Sequence, residues 1–329
     1  MTLLNIENFS LGLQGSDKRL LPVLEQVSLK LEAGQCLGLA GESGSGKSVL
    51  AMSIAGLIPK SSIGSSSGSI QFAGENVLKM TEAELGKIRG RRIGFIFQEP
   101  MTAMNPLMTL FDQVAEVIYA HEKKVGKEEV QARVKKALLS AGFAEPEKYY
   151  DSYPHQLSGG MRQRAMIAIG RAMNPQLVIA DEPTTAIDAA LQVQLLRELR
   201  ESVKGEGHSM IFISHDLGVL RAICDNLAIL YAGNLVEFGP VDAIMAKPFH
   251  PYTRDLIAAL PRLVPDRLLP KPIAGNLPAP DQKPVGCVYS DRCSQRREAC
   301  NKQRPQMQTL ADGRQAACFF PVNMGQKND

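Results

Sequence analysis

No stretch of these 329 residues approaches the roughly 18 consecutive apolar residues that a membrane-crossing helix requires. The start, Met1-Thr2-Leu3-Leu4-Asn5, has neither the basic opening nor the apolar centre of a secretory signal. A lopsided charge is missing too: 37 lysines and arginines stand against 34 aspartates and glutamates, a net +3. So balanced a chain gives no case for a nucleic-acid surface. No internal repeat is evident, and no two cysteines sit at the C-x₂₋₄-C spacing of a zinc knuckle. The expectation is a soluble, cytosolic protein that meets a membrane only through partners. Disulfides are not expected in that compartment. Hydrophobic residues make up 44% of the chain, ample for a core, and the length suits two domains or one domain with an appendage.

What is present begins with Gly41-Glu42-Ser43-Gly44-Ser45-Gly46-Lys47-Ser48, which fills every fixed position of G-x-x-x-x-G-K-[ST]. An apolar run, Cys36 to Ala40, precedes it as a buried strand, and Val49 to Leu57 follows with helical spacing. The glycines let successive N–H groups converge on phosphate oxygens, and the helix start adds its positive dipole end. Lys47 is then aimed at the β- and γ-phosphates and the Ser48 hydroxyl at Mg²⁺. The chain is expected to bind a nucleoside triphosphate.

Elsewhere, residues 3–11 and 23–31 alternate as antiparallel strands around a loop at Gln14 to Arg19. The Ser/Gly-rich stretch Lys60 to Ser69 is expected as a loop, with a short strand to Phe72. Thr81-Glu82-Ala83-Glu84 is a capping box opening a helix. Residues 92–97 are a strand, 98–173 an all-helical insertion, and strands resume at 177–181 and 210–214, separated by a helix at 189–204. Two further strands are expected near 227–231 and 234–238. After a short helix from His250, prolines at 261, 265, 270, 272, 278, 280 and 284 forbid long regular structure.

Three strand ends carry chemistry. Asp181 is positioned to hold Mg²⁺, and Glu182 to polarise the water that attacks the γ-phosphate. Gln98 can reach the metal and the lytic water, and His215 the γ-phosphate. All of them would stand with the phosphate loop on one sheet edge. Leu157-Ser158-Gly159-Gly160-Met161-Arg162-Gln163 is a second anion-binding helix start. One nucleotide has little use for two such sites, whereas a head-to-tail dimer has, each subunit's Ser-Gly-Gly closing on its partner's ATP.

Taken together, Gly41–Ser48, Gln98, Leu157–Gln163, Asp181-Glu182, Ala186-Ile187-Asp188 and His215, in that order, resemble the ATP-binding-cassette (ABC) ATPases over about residues 3–245. The resemblance implies an α/β, P-loop ABC ATPase core with an antiparallel β subdomain and an all-helical subdomain. It assigns Ser158, Gly159 and Gly160 to the ATP held by the other subunit and Asp188 to the coupling loop. Two departures stand out. The loop Leu11 to Leu21 offers no aromatic ring for adenine, Phe9 being the nearest, and Ile187 replaces the usual leucine.

Gln98-Glu99-Pro100-Met101-Thr102-Ala103-Met104-Asn105-Pro106 and His250-Pro251-Tyr252-Thr253 resemble the oligopeptide/dipeptide importer ATPases, extending the likeness to nearly the whole chain. The resemblance implies an ATPase at the cytoplasmic face of a membrane, peripheral to it. Its partners would be a second, paralogous ATPase, two permease subunits and, indirectly, a solute-binding protein. The cargo would be dipeptides or oligopeptides. The same importer group with nickel, haem or another small solute, and a soluble non-transport ABC ATPase, are the alternatives. Residues 1–247 would be the nucleotide-binding domain, with 248–329 a small, irregular, cysteine-rich C-terminal extension.

Four of the six cysteines fall in that extension, spaced Cys287-x5-Cys293-x6-Cys300-x17-Cys318. The wide gaps suit a [4Fe–4S] cube, with zinc, free thiols or disulfides left open by the spacing. The resemblance also implies an iron–sulfur cluster at these cysteines. Arg292, Arg296, Arg297, Lys302, Arg304 and Arg314 are expected to offset its negative charge. Cys36 and Cys224, alone in apolar surroundings, are expected as inert core residues.

Overall fold

The computed structural model describes residues 1–15, 18–183, 196, 200–201, 207–260 and 272–322. Strands β1 (Thr2–Gln14), β2 (Leu20–Glu32) and β3 (Cys36–Ala40) lead into helix α1 (Lys47–Ile54). Strands β4 (Ile63–Phe72) and β5 (Glu75–Asn76) precede α2 (Glu82–Ile88) and β6 (Ile93–Ile96). Helices α3 (Pro100–Ala103), α4 (Leu110–His121), α5 (Lys127–Ser140) and α6 (Gly159–Arg171) follow. Then come β7 (Leu177–Asp181), β8 (Ser209–Ile213), β9 (Asn226–Tyr231) and β10 (Asn234–Pro240). Two short strands, β11 (Gln308–Thr309) and β12 (Gln315–Ala316), form a ribbon near the end. The chain divides into two compact units: Met1–Glu32 with Leu37–Leu78 and Ser214–Asp329, and Ala33–Cys36 with Lys79–Ile213.

In the first unit an antiparallel sheet runs β2-β1-β4-β5. Its inward face is the alternating set Leu4, Ile6, Leu29, Leu31, Ile70 and Phe72, all buried, as a half-covered sheet requires. Phe9 lies in the same core, fully buried, which removes it as a platform for adenine. The serine-rich stretch expected as a loop is instead the outer half of β4, where Ser65, Ser66 and Ser67 pair with Gly12, Leu11 and Ser10 of β1. Backbone ladder bonds drive that pairing, and the local composition, poor in β-formers, is overridden by the neighbouring strand. A Cβ on Gly12 would meet Ser65 Oγ at 2.5 Å and Leu20 Cδ1 at 2.6 Å, so the glycine lets the two strands and Leu20 close up. The remaining strands of this unit run β11-β12-β10-β9-β3, with β3 parallel to β9. Cys36 and Cys224 are both buried, as expected.

The second unit carries β6, β7 and β8 side by side and parallel. Every residue of β7 and β8 is buried, the mark of parallel strands covered on both faces. Thr81 and Glu84 form the expected capping box on α2. Among the described residues between β6 and β7 every element is helical. Helix α6 lies hard against β6: a Cβ on Gly94 would fall 1.9 Å from the Gly170 carbonyl oxygen, so glycine alone permits the approach. No helix among the described residues is long and apolar enough to cross a membrane.

Candidate nucleotide site and the four-cysteine lobe

Strand β3, buried throughout, delivers the chain to Gly41 at φ +149°. A Cβ there would lie 2.2 Å from the Leu230 carbonyl oxygen and 2.7 Å from Ser45 Oγ. The turn therefore exists only with glycine. Gly46, at φ +100°, precedes the first turn of α1. Lys47, only 7% exposed, folds back across the loop. Its Nζ donates to the carbonyls of Gly41 at 2.8 Å and Glu42 at 2.9 Å, and to Ser45 Oγ at 3.4 Å. These are weak partners for an ammonium, and phosphate oxygens would outcompete them. From beneath, Gly233 N–H donates to the Ser45 carbonyl at 2.9 Å, fixing the loop to the β9–β10 turn. Ser43 and Gly44 are exposed and Ser48 is half-buried. Ser214 N–H donates to the Leu39 carbonyl at 3.4 Å, which sets the exposed His215 just past the strand that feeds the loop.

In the second unit, the parallel pairing of β6 and β7 brings together residues 84 apart in sequence. Gln98 Nε2 donates to Glu182 Oε2 at 3.1 Å. Glu182 sits at φ +46°, a region side-chain-bearing residues seldom adopt, and its N–H donates to the Ile213 carbonyl at 3.1 Å. Asp181 ends β7 with 6% exposure. Ser158 is the N-cap of α6, its Oγ accepting from Met161 N–H at 3.3 Å, while Gly159 and Gly160 form the first turn. A Cβ on Gly160 would meet nothing within 4 Å, so the surface over this helix start is open. Asp188, with Ala186 and Ile187, lies outside the described residues, as does the expected helix 189–204 except for residues 196, 200 and 201.

Sequence patterning gave no hint of the contacts that tie the C-terminal region to the first unit's core. Glu237 of β10 is fully buried and accepts N–H bonds from Phe249 and His250, each at 2.9 Å, at the start of the helix Pro251–Ala258. Burial pushes its carboxyl above the ordinary range. Glu25 of β2 is gripped by Lys283 at 2.7 Å and by Arg304. Burial opposes the charge on Glu25, but the two cations outweigh it and hold the carboxyl below its usual range. Glu42 of the phosphate loop is gripped twice. Its N–H donates to Tyr252 Oη at 2.8 Å, and its Oε2 accepts from Arg292 Nη1 at 2.9 Å.

Cys287, Cys293, Cys300 and Cys318 are all free thiols, and all four line one narrow cavity together with His250, Tyr289, Phe319 and Phe320. Burial pushes the Cys287 thiol up to about 11 and that of Cys318 up to about 12. His250 Nδ1 accepts the Tyr252 N–H at 3.1 Å, which leaves Nε2 carrying the ring proton, buried and with no hydrogen-bond partner among the described residues. Burial holds this imidazole neutral, its pKa pushed down to about 3. Among the described residues no three or more His, Cys, Asp or Glu side chains form a group that could hold a metal ion.

The six cations expected to offset a cluster's charge are engaged elsewhere. Arg296 meets Asp291, Lys302 meets Glu298, Arg304 meets Glu25 and Arg314 meets Asp312. Arg292 meets Glu42, and Arg297 stacks 4.2 Å over the Phe320 ring. They fasten the lobe, because a cation near carboxylates gains more from pairing there than from facing neutral thiols.

Comparison with known proteins gives two family matches. One is described as ABC transporter, over residues 24–185, and the other as oligopeptide/dipeptide transporter, C-terminal region, over residues 236–300. The oligopeptide transport ATP-binding protein AppD of Bacillus subtilis is 39% identical over 303 residues, 92% of each chain. The dipeptide transport ATP-binding protein DppD of Escherichia coli is 36% identical over 323 residues, 98% of each chain. Among solved structures, the ATP-binding cassette MJ0796 in its dimeric post-hydrolysis state, bound to ADP and Pi, superposes with a TM-score of 0.66 at 26% identity. That alignment covers 72% of this chain and 98% of MJ0796.

Proposed function

The chain belongs to the ABC transporter family, with the C-terminal region of oligopeptide/dipeptide transporters, and from that premise we propose that it is the ATP-hydrolysing subunit of a membrane importer for dipeptides or oligopeptides. The observation that carries this reading is the joint occurrence, in one chain, of the glycine-built phosphate loop and the peptide-type C-terminal region, at 36% identity over 98% of DppD.

In this proposal residues 1–247 are the nucleotide-binding domain and 248–329 the C-terminal region. Gly41, Glu42, Ser43, Gly44, Ser45, Gly46 and Lys47 cradle the phosphates. Ser48, Asp181 and Gln98 would hold Mg²⁺, which would supply positive charge against the phosphate oxygens when bound. Glu182 takes a proton from the attacking water, Gln98 orients the pair, and His215 contacts the γ-phosphate. Ser158, Gly159 and Gly160 close on ATP held by a paralogous ATPase, and Asp188 couples the two sites. ATP binding draws the two ATPases together and hydrolysis releases them, moving two permease subunits fed by a solute-binding protein. The open groove beside α4, about 800 Å³ and lined by Phe111, Ala115 and Tyr119, is suited to a permease helix. The protein would then sit peripherally at the cytoplasmic face of the membrane.

We propose that the four cysteines would hold a [4Fe–4S] cluster. They line one cavity, and His250 Nε2–H, on the wall of that cavity, is a donor with no acceptor among the described residues. When bound, such a group supplies a four-point crosslink and a one-electron redox centre. A single zinc ion suits the spacing less, since no two of these cysteines form the C-x₂₋₄-C knuckle that structural zinc favours.

Two experiments test the proposal. Membranes from cells carrying Glu182→Gln should retain the subunit with its permeases yet take up no labelled dipeptide. A chain that never co-purifies with membrane proteins refutes the transport reading. Anaerobically purified protein should absorb broadly near 400 nm and contain iron and sulfide. Colourless, iron-free protein refutes the cluster.

A further inference from the structure

Glu42 is the first residue of the phosphate loop after the turn at Gly41, and three side chains hold it. Lys47 Nζ takes its carbonyl at 2.9 Å, Tyr252 Oη takes its N–H at 2.8 Å, and Arg292 takes its carboxylate at 2.9 Å. An arriving triphosphate recruits Lys47 and removes the first grip. Within the loop Ser45 N–H still donates to the Glu42 carbonyl at 3.1 Å, and the two side-chain grips that remain, from Tyr252 and Arg292, come from the C-terminal region. The charge matters as much as the hold. Glu42 puts a carboxylate in the loop that must accept a polyanion, and its Oε1 is buried with no hydrogen-bond partner among the described residues.

Arg292 is built to answer that charge. Its side chain is only 6% exposed. Besides Glu42, its guanidinium donates to the carbonyls of Ala274 at 2.8 Å and Ile273 at 3.3 Å, and to Tyr231 Oη at 3.3 Å. The guanidinium carbon also lies 5.7 Å from the Tyr231 ring centroid and 6.0 Å from that of Tyr289. Burial alone would lower its pKa, but Glu42 and Tyr231 outweigh burial and raise it. Leu277, in the same segment, stands over the loop, 3.4 Å from where a Gly44 Cβ would be.

We propose that Arg292 is a positioning residue for MgATP, neutralising and anchoring Glu42 so that the phosphate loop stays open to anions. The cysteine lobe thereby sets nucleotide affinity from outside the cassette. This rests on the reading of Gly41–Ser48 as the nucleotide site, and Lys47→Ala tests that reading separately: normal MgATP binding by Lys47→Ala overturns the site itself.

The experiment measures MgATP affinity by calorimetry on the full chain, and KM and kcat on the importer complex. Losing a charge-assisted hydrogen bond beside the ligand should weaken MgATP about tenfold in Arg292→Ala, with KM rising equally and kcat changing less than twofold. Arg292→Lys should recover most of the affinity. The deciding variant is Arg292→Ala with Glu42→Gln, which removes the stranded carboxylate and should restore affinity to within about threefold. A fold-supporting role alone would lower the melting temperature and would not be rescued by Glu42→Gln. Unchanged MgATP affinity in Arg292→Ala, or a loss undiminished in the double variant, overturns the proposal.

Discussion

Replacing Glu182 by glutamine separates two roles that its geometry permits. The carboxylate accepts a hydrogen bond from Gln98 Nε2 at 3.1 Å, and the backbone is pinned by the bond from its own N–H to Ile213. Glutamine has the same shape, and its amide oxygen can accept the same hydrogen bond, so positioning survives and only basicity is lost. If Glu182 merely orients its neighbours, the change costs at most the about 0.5–1.5 kcal/mol of one hydrogen bond, roughly a tenfold effect. If it is the general base, proton removal from water loses a factor of about 10² to 10⁴, or about 3–5 kcal/mol of barrier. Phosphate release from the assembled importer, beside nucleotide binding measured separately, distinguishes these outcomes. Binding should be retained and turnover should fall at least a hundredfold. Turnover within tenfold of the parent refutes the general-base assignment.

Lys47→Ala should abolish MgATP binding measured by calorimetry, since Lys47 is the cation that reaches across the loop to the Gly41 and Glu42 carbonyls. Gly41→Ala should lose binding together with about 1–3 kcal/mol of stability in urea titration, because its Cβ meets a backbone carbonyl that cannot swing aside. Cys300→Ser should lower iron and sulfide content while MgATP still binds. His250 has a folded pKa near 3 against an ordinary 6.5, so the unfolded chain takes up a proton first as pH falls. Stability should therefore drop by about 2 kcal/mol between pH 6.5 and 5. His250→Asn, which can still cap the helix at Pro251, should flatten that slope in urea titrations at the two pH values.

Legibility from sequence tracked locality. The phosphate loop, the capping box on α2 and the Ser158 helix start are each set by residues within eight positions of one another, and each was readable as a pattern. The Gln98–Glu182 contact spans 84 residues, yet both sit at the ends of parallel strands, so topology implied it. The serine-rich half of β4 was misread because its strand character comes from β1 and not from its own side chains. The Arg292–Glu42 and Arg304–Glu25 pairs span 250 and 279 residues, and no periodicity announces such meetings. The basic residues of the cysteine lobe illustrate the same limit. Counting them suggests a counter-charge for a cluster, whereas five of them pair with carboxylates, two of which, Glu25 and Glu42, are remote in sequence.

Glu237 has a consequence for where this polypeptide can be cut. Its carboxylate lies inside the cassette strand β10, yet the two amides that satisfy it belong to Phe249 and His250. A chain ended after Lys247 would lose both amides and leave that acid buried without them. The cassette and its tail are thus one folding unit at this point, and inheritance or engineering that trims one must first disarm the acid in the other.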